Sequence, residues 1–207
     1  MFTLPSFQYM LSLVPGIMLG LSVHEYAHGK VADALGDPTP RASGRLTLNP
    51  LAHIDPIGLI LLFLAGFGWA KPVPVNPYYF RIGMRWGMFW VSLAGPAANL
   101  VVAFVGALLW GLWGVKTDPL GLVLRGIVAI NVVLALFNLL PVPPLDGSKV
   151  LVSLLPLEMN WLLRYEQYGV IILLLLILTG VISLYLEIVV KPVLYLFVRL
   201  AQAVSGF

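Results

Sequence analysis

The chain has no cysteine among its 207 residues. This excludes disulfide bonds, thiolate metal sites and a cysteine nucleophile. Charged residues are also scarce: they make up 10% of the sequence, against about 25% in soluble domains, whereas 60% of the residues are hydrophobic. The long apolar runs therefore predict a polytopic membrane protein that contacts the lipid bilayer and has no separate soluble domain.

Basic runs are missing as well. The 12 Lys and Arg residues outnumber the nine acidic residues, but they are scattered singly, so nucleic acid is not expected as a partner. In membrane proteins, short cytoplasmic loops are enriched in Lys and Arg. Two groups follow the first two apolar segments: Lys30, Arg41 and Arg45, then Lys71, Arg81 and Arg85. Both groups can be cytoplasmic only if the short segment 57–70 is re-entrant or peripheral, which we expect.

The apolar pattern predicts an all-α polytopic membrane protein with about four to six transmembrane helices in a single domain, 1–207. The expected order is a helix over 7–35, a membrane-associated β or re-entrant region over 40–85, a helix over 86–115, a broken helix over 120–157, a helix over 168–190 and a short C-terminal helix over 193–204.

Residues 24–28 read H-E-Y-A-H, a match to the pattern H-E-x-x-H. On a helix, His24 and His28 lie one above the other, where two imidazoles can bind one Zn²⁺, and Glu25 is placed to act as a general base. Phe7 precedes His24 by roughly 25 Å of helix, so the pair lies within the membrane or at its cytoplasmic face. Ionisable residues at that depth are functional candidates.

A catalytic zinc site needs a third protein ligand. The candidates are Asp33, Asp37, His53, Asp55, Asp118 and Asp146. Asp33 is turned partly away from His24 on the same helix, and Asp118 falls on the opposite side of the membrane. Prolines and Gly147 break the spanning helix around Asp146, and broken helices at membrane depth line cavities or sites. We therefore select Asp146.

These stretches resemble the site-2 protease family, the intramembrane zinc metalloproteases of peptidase family M50. The resemblance is carried by H-E-Y-A-H at 24–28 and N-L-L-P-V-P-P-L-D-G at 138–147. S-L-A-G-P-A-A-N at 92–99 and K-P-V-P-V-N-P at 71–77 are also similar to the family. The first motif alone has low specificity, whereas the two motifs in separate spans are highly specific.

The resemblance implies that His24, His28 and Asp146 bind one zinc ion, that Glu25 is the catalytic base, and that Asn138 helps to hold the substrate. It implies a zinc metalloendopeptidase that cuts within or next to transmembrane segments of other membrane proteins, in regulated intramembrane proteolysis. Many members carry a PDZ domain or paired CBS modules, for which this sequence has no room, so we expect a compact form.

A different interpretation is a membrane transporter that uses His24, Glu25 and Asp146 as a proton relay, which predicts no bound zinc. In either case we expect a multi-pass protein of a prokaryotic cell membrane with the site toward the cytoplasmic side. For Asn99, a hydrogen bond across helices and simple packing among small residues both remain open.

Overall fold

The computed structural model describes residues 7–55, 58, 70–155 and 167–206. Within these ranges the regular structure is helical, which confirms the all-α class, and β pairing is limited to one antiparallel bridge between Ile54 and Ala70. The helices are α1 (Phe7–Ala34), α2 (Thr39–Ala42), α3 (Met84–Leu112), α4 (Pro119–Asn138), α5 (Asp146–Leu154), α6 (Gly169–Leu178), α7 (Val181–Tyr185) and α8 (Lys191–Ser205).

Four described helices are long and apolar enough to cross a membrane, so the chain is a multi-pass membrane protein. Three of them are α1, α3 and α4. The fourth runs over Val181–Ser205, because α7, a π-helical turn and α8 follow one another without a break. The expectation of about four to six spans includes this number.

The C-terminal helices differ from the prediction. The helix expected over 168–190 ends at Leu178, and Gly180 follows it with a left-handed φ of 78°. The piece expected at 193–204 is part of the long helix that begins at Val181. Glycine in this conformation is a common helix terminator, but a single glycine inside an apolar run gives little sequence signal.

A contact between helix ends establishes the relative direction of α1 and α3. The end of α1 lies beside the start of α3, since the backbone N–H of Arg81 donates to the carbonyl oxygen of Leu35 (2.9 Å). The two helices are therefore antiparallel. The chain leaves α1 and returns to α3 at the same end, which places both basic groups at that end. The expectation for 57–70 itself falls almost entirely outside the described residues.

Helices α1 and α4 run in parallel and touch through glycine. A Cβ at Gly16 would lie 2.9 Å from the carbonyl oxygen of Gly126, and a Cβ at Gly126 would lie 2.8 Å from that of Ser12. Such backbone contact is typical of helix packing in membranes. On the other side, α8 packs along α3 and α4 around a cluster of buried residues: Ala103, Ala107, Trp110, Val128, Val132, Val190 and Ala201.

Candidate metal centre

Three ligand-type side chains converge where α1 meets the start of α5. The Nε2 atoms of His24 and His28 lie 2.9 Å apart, and each lies 3.1 Å from Oδ2 of Asp146. All three residues are buried. Ligand atoms bonded to a tetrahedral zinc at about 2.0–2.2 Å are roughly 3.3–3.6 Å apart, so this triangle is slightly smaller than one face of such a site. Among the described residues, it is the one group of this kind.

The hydrogen bonds on the far side of each imidazole decide which ring nitrogen carries the proton. The carbonyl oxygen of Val91 can only accept, so the Nδ1–H of His28 donates to it (2.6 Å) and Nε2 keeps its lone pair. The Nδ1–H of His24 donates in the same way to Oδ1 of Asn99 (2.6 Å).

With both rings neutral, two imidazole lone pairs and the Asp146 carboxylate face one another. This arrangement is unfavourable in a buried position unless a cation lies among the three groups. Neutral imidazoles and a carboxylate are the ligands found at catalytic zinc sites, and three of them leave a fourth position open. The residues present therefore fit a zinc ion.

Two buried carboxamides fix the ring of His24. The Nδ2 of Asn99 donates to the carbonyl oxygen of Gly20 (3.0 Å) and to Oδ1 of Asn131 (2.8 Å), so the Asn99 oxygen is turned toward His24. Asn131 donates in turn to the carbonyl oxygen of Ile127 (2.8 Å). The relay joins α1, α3 and α4 and holds the ligand at a fixed angle. Asn99 therefore bonds across helices.

Sequence reasoning missed Asn131. The signal that could have found it is a lone carboxamide in the middle of the apolar helix α4, since such a group needs a partner inside the membrane.

Helix α3 approaches both histidines so closely that only glycine fits. A Cβ at Gly95 would lie 2.5 Å from Nε2 of His28 and 2.7 Å from Cε1 of His24. Val91 and Asn99, one turn away on either side, supply the acceptors for the two Nδ1–H groups. One face of α3 therefore orients both imidazoles.

The L-D-G motif places the third ligand at the start of a helix. Asp146 is the first residue of α5, where the helix dipole favours a carboxylate. A side chain at Gly147 would collide with the carbonyl oxygen of Leu139, so glycine is what lets α5 begin against the end of α4. At the other end of α5, the guanidinium of Arg85 donates to the carbonyl oxygens of Ser153 (2.6 Å) and Leu155 (2.8 Å).

Glu25 lies beside the triangle and does not belong to it. It follows His24 directly and shares a helix face with His28, three residues on. Its Oε2 accepts a hydrogen bond from the backbone N–H of Val73 (2.8 Å), in the segment K-P-V-P-V-N-P. A carboxylate held by one oxygen keeps its second oxygen as an acceptor.

The other candidates for the third ligand have structural partners. They are Asp33, paired with Arg41; Asp37, bonded to the N–H groups of Thr39 and Asn76; His53, which donates to Thr47; Asp55, bonded to the N–H of Gly58; and Asp118, which caps α4.

Asn138 ends α4 and lies outside the triangle. Its Nδ2 donates to the carbonyl oxygen of Leu134 one turn back in the helix (2.9 Å). Within the described part of the chain, its Oδ1 accepts no hydrogen bond. The role in substrate binding stays a prediction.

Proteins of similar sequence are named as putative zinc metalloproteases. The chain is 42% identical over 184 residues to the "Putative zinc metalloprotease YwhC" of Bacillus subtilis, across 83% of this chain and 84% of the relative. The chain belongs to this family of zinc metalloproteases. It is also 33% identical over 181 residues to the "Putative zinc metalloprotease Rip2" of Mycolicibacterium smegmatis, across 83% of this chain and 68% of the relative. No family model and no solved structure matches the chain.

The names of these metalloproteases agree with the donor set. Two imidazoles with free Nε2 atoms and one carboxylate suit zinc, and the adjoining Glu25 suits hydrolysis of a peptide bond.

Proposed function

We propose that this metalloprotease hydrolyses peptide bonds within or next to transmembrane segments of other membrane proteins, as site-2 proteases do. The observation that carries the proposal is the triangle of His24, His28 and Asp146, because two of its corners belong to a membrane-spanning helix. His24 precedes the end of α1 by ten residues, or roughly 15 Å of helix. A site at that depth supports a substrate that reaches it from the bilayer.

The residues of the site have separate roles. His24, His28 and Asp146 would hold the zinc, which supplies an activated water and polarises the scissile carbonyl. Glu25 accepts the proton of the attacking water on Oε1 and later donates it to the leaving amine. The relay from Asn131 through Asn99 keeps His24 in the tautomer that binds metal.

The substrate has to be unwound before it can be cut, since a helix hides its peptide bonds in internal hydrogen bonds. We assign Asn138 to holding the unwound segment, because the side chain lies at the end of α4, eight residues before Asp146, the first residue of the next helix. Among the described residues, its Oδ1 has no hydrogen-bond donor, so it can accept one from the substrate. An N138A variant should raise KM while the zinc content stays unchanged; an unchanged KM would refute this role.

The site is assigned to the cytoplasmic side of a prokaryotic cell membrane. Support comes from four basic residues at the same end of the bundle: Lys30 near the end of α1, Arg41 after it, Arg81 before α3 and Arg85 in the first turn of α3. A reporter enzyme that works only in the cytoplasm should be active when it is fused after residue 42. Activity of a reporter that works only outside the cell membrane, fused at the same place, would contradict the orientation.

The test of the function compares the wild type with E25Q, which keeps the size and the acceptor oxygen of Glu25 but not its basicity. Both purified proteins would be assayed for zinc and for cutting of labelled casein, an unfolded chain, and of a single-span fluorescent reporter. We expect about one zinc ion in each protein and cleavage by the wild type alone. Cleavage by E25Q, or a wild type without zinc, as the proton-relay transporter requires, would refute the proposal. D146A, as a control, should bind zinc more weakly.

A further inference from the structure

The segment 71–76 approaches the centre without belonging to a helix or a strand pair. Its sequence is K-P-V-P-V-N, so two of its six residues have no backbone N–H. Val73 lies between these prolines, and its N–H donates to Oε2 of Glu25 (2.8 Å). A proline at position 74 favours an extended backbone at Val73, which limits the directions in which this N–H can point.

Two buried charged side chains hold the ends of this segment. The guanidinium of Arg45 donates to the carbonyl oxygen of Lys71 (2.6 Å), and Arg45 is only 8% exposed. Asp37, with 0% exposure, accepts from the N–H of Asn76 (2.7 Å). The N–H of Lys71 also donates to the carbonyl oxygen of His53 (2.9 Å). Hydrogen bonds to charged groups are stronger than neutral ones, so the segment is fixed on both sides of Val73.

The segment is also pressed against the face of α1 that carries Glu25. Gly29 is one turn beyond Glu25, and a Cβ there would lie 3.1 Å from Cγ1 of Val73. The absence of a side chain at Gly29 therefore lets the backbone of Val73 come within hydrogen-bond distance of the carboxylate. Among the described residues, the hydrogen bond that the fixed segment makes to the Glu25 carboxylate comes from this N–H, so the contact sets the direction of the carboxylate.

We propose that the backbone N–H of Val73 is a positioning group for the catalytic base: it holds Oε2 of Glu25 and thereby aims Oε1 at the reacting water. The assignment rests on the proposed function of Glu25. In this arrangement the buried Arg45 and Asp37 affect the base indirectly, because they fix the segment that carries the Val73 N–H.

Hydrogen exchange tests the contact without any substrate. Residues 71–76 have only four backbone amides, so the amide of Val73 can be resolved in the purified full chain. Its exchange should be faster by roughly ten- to hundredfold in E25A than in the wild type, as for the loss of a bond to a charged acceptor. E25Q keeps an acceptor oxygen and should retain most of the protection. Equal exchange in the wild type and E25A would overturn the proposal.

Activity tests the consequence. V73P deletes the N–H, V73A keeps the N–H and removes only side-chain methyl groups, and V75P is a matched proline control two residues away. With labelled casein as the probe, V73P should lower kcat by about 10–100-fold relative to V73A, with KM and zinc content unchanged. V75P should stay close to the wild type.

A V73P variant with the kcat of V73A would refute the positioning role. A wild type that protects the Val73 amide but cuts neither casein nor the reporter would refute the proposed function and leave the contact standing, so the two failures are distinguishable.

Discussion

A single methyl group added at Gly95 is expected to abolish tight zinc binding. In G95A the new Cβ would lie 2.5 Å from Nε2 and 2.6 Å from Cε1 of His28, and 2.7 Å from Cε1 of His24. Ordinary contact begins at 3.4 Å, so the imidazole of His28 has to move by about 0.9 Å. Zinc sites tolerate deviations of only about 0.2 Å in their ligand distances.

The rings have no easy way to move. Each Nδ1–H is held by an acceptor on α3, the same helix that would carry the new methyl group. Loss of an outer hydrogen bond to a ligand lowers metal affinity by about 10–100-fold. Displacing the ligands themselves should cost at least about a hundredfold, which corresponds to roughly 2.7 kcal/mol.

Competition with a chromophoric zinc chelator measures this affinity on the purified protein. G106A is the control, since the nearest atoms that the same change on the same helix meets are methyl groups of Ile127 and Val128, at 3.2 and 3.3 Å. It should bind zinc like the wild type. If G95A, with wild-type helix content by circular dichroism, bound zinc within about threefold of the wild type, the close approach of α3 to the histidines would be wrong.

Three further changes probe other contacts. N99A should weaken zinc binding by about 10–100-fold in the same competition assay, with N131A weaker in effect because it acts one bond farther out; equal affinity in N99A and the wild type would contradict the relay. G126V should lower the melting temperature in detergent, because a Cβ there meets the carbonyl oxygen of Ser12 at 2.8 Å; an unchanged value would contradict the α1–α4 contact. The N–H of Gly121, and then the indole of Trp113, hold the pKa of Asp118 below its usual range. The wild type should therefore be more stable than D118A at pH 7, and the difference in stability should shrink as the pH falls below about 3.9. A difference independent of pH would contradict the cap.

The long apolar helices follow from composition alone, because every backbone group inside a membrane must be bonded within its own helix. This is why α1, α3 and α4 lie close to the predicted ranges. The division between α6 and α7 does not follow, since Gly180 could equally sit inside a membrane helix. What ends the helix there is a left-handed φ, which composition does not determine.

At the site, the spacing of motifs in the sequence predicts the residues whose side chains act directly. H-E-Y-A-H fixes two corners on one helix face, and the broken helix pointed to Asp146 as the third. The contacts that orient these groups are of a different kind. The acceptor for His28 is a backbone carbonyl of Val91, the donor to Glu25 is a backbone N–H of Val73, and the space for both rings is a missing Cβ at Gly95. A sequence does not show which backbone group or which glycine lies beside a given side chain, so these contacts become visible only in the folded structure.

X-ray absorption at the zinc edge of the purified protein shows whether His24, His28 and Asp146 bind zinc. The wild type should show two imidazole ligands, with the remaining ligands oxygen, at about 2.0–2.2 Å. D146A should keep both imidazoles and lose the carboxylate ligand. A wild type without zinc, a coordination sphere with fewer than two imidazoles, or a sphere unchanged in D146A would show that these three residues are not the zinc ligands.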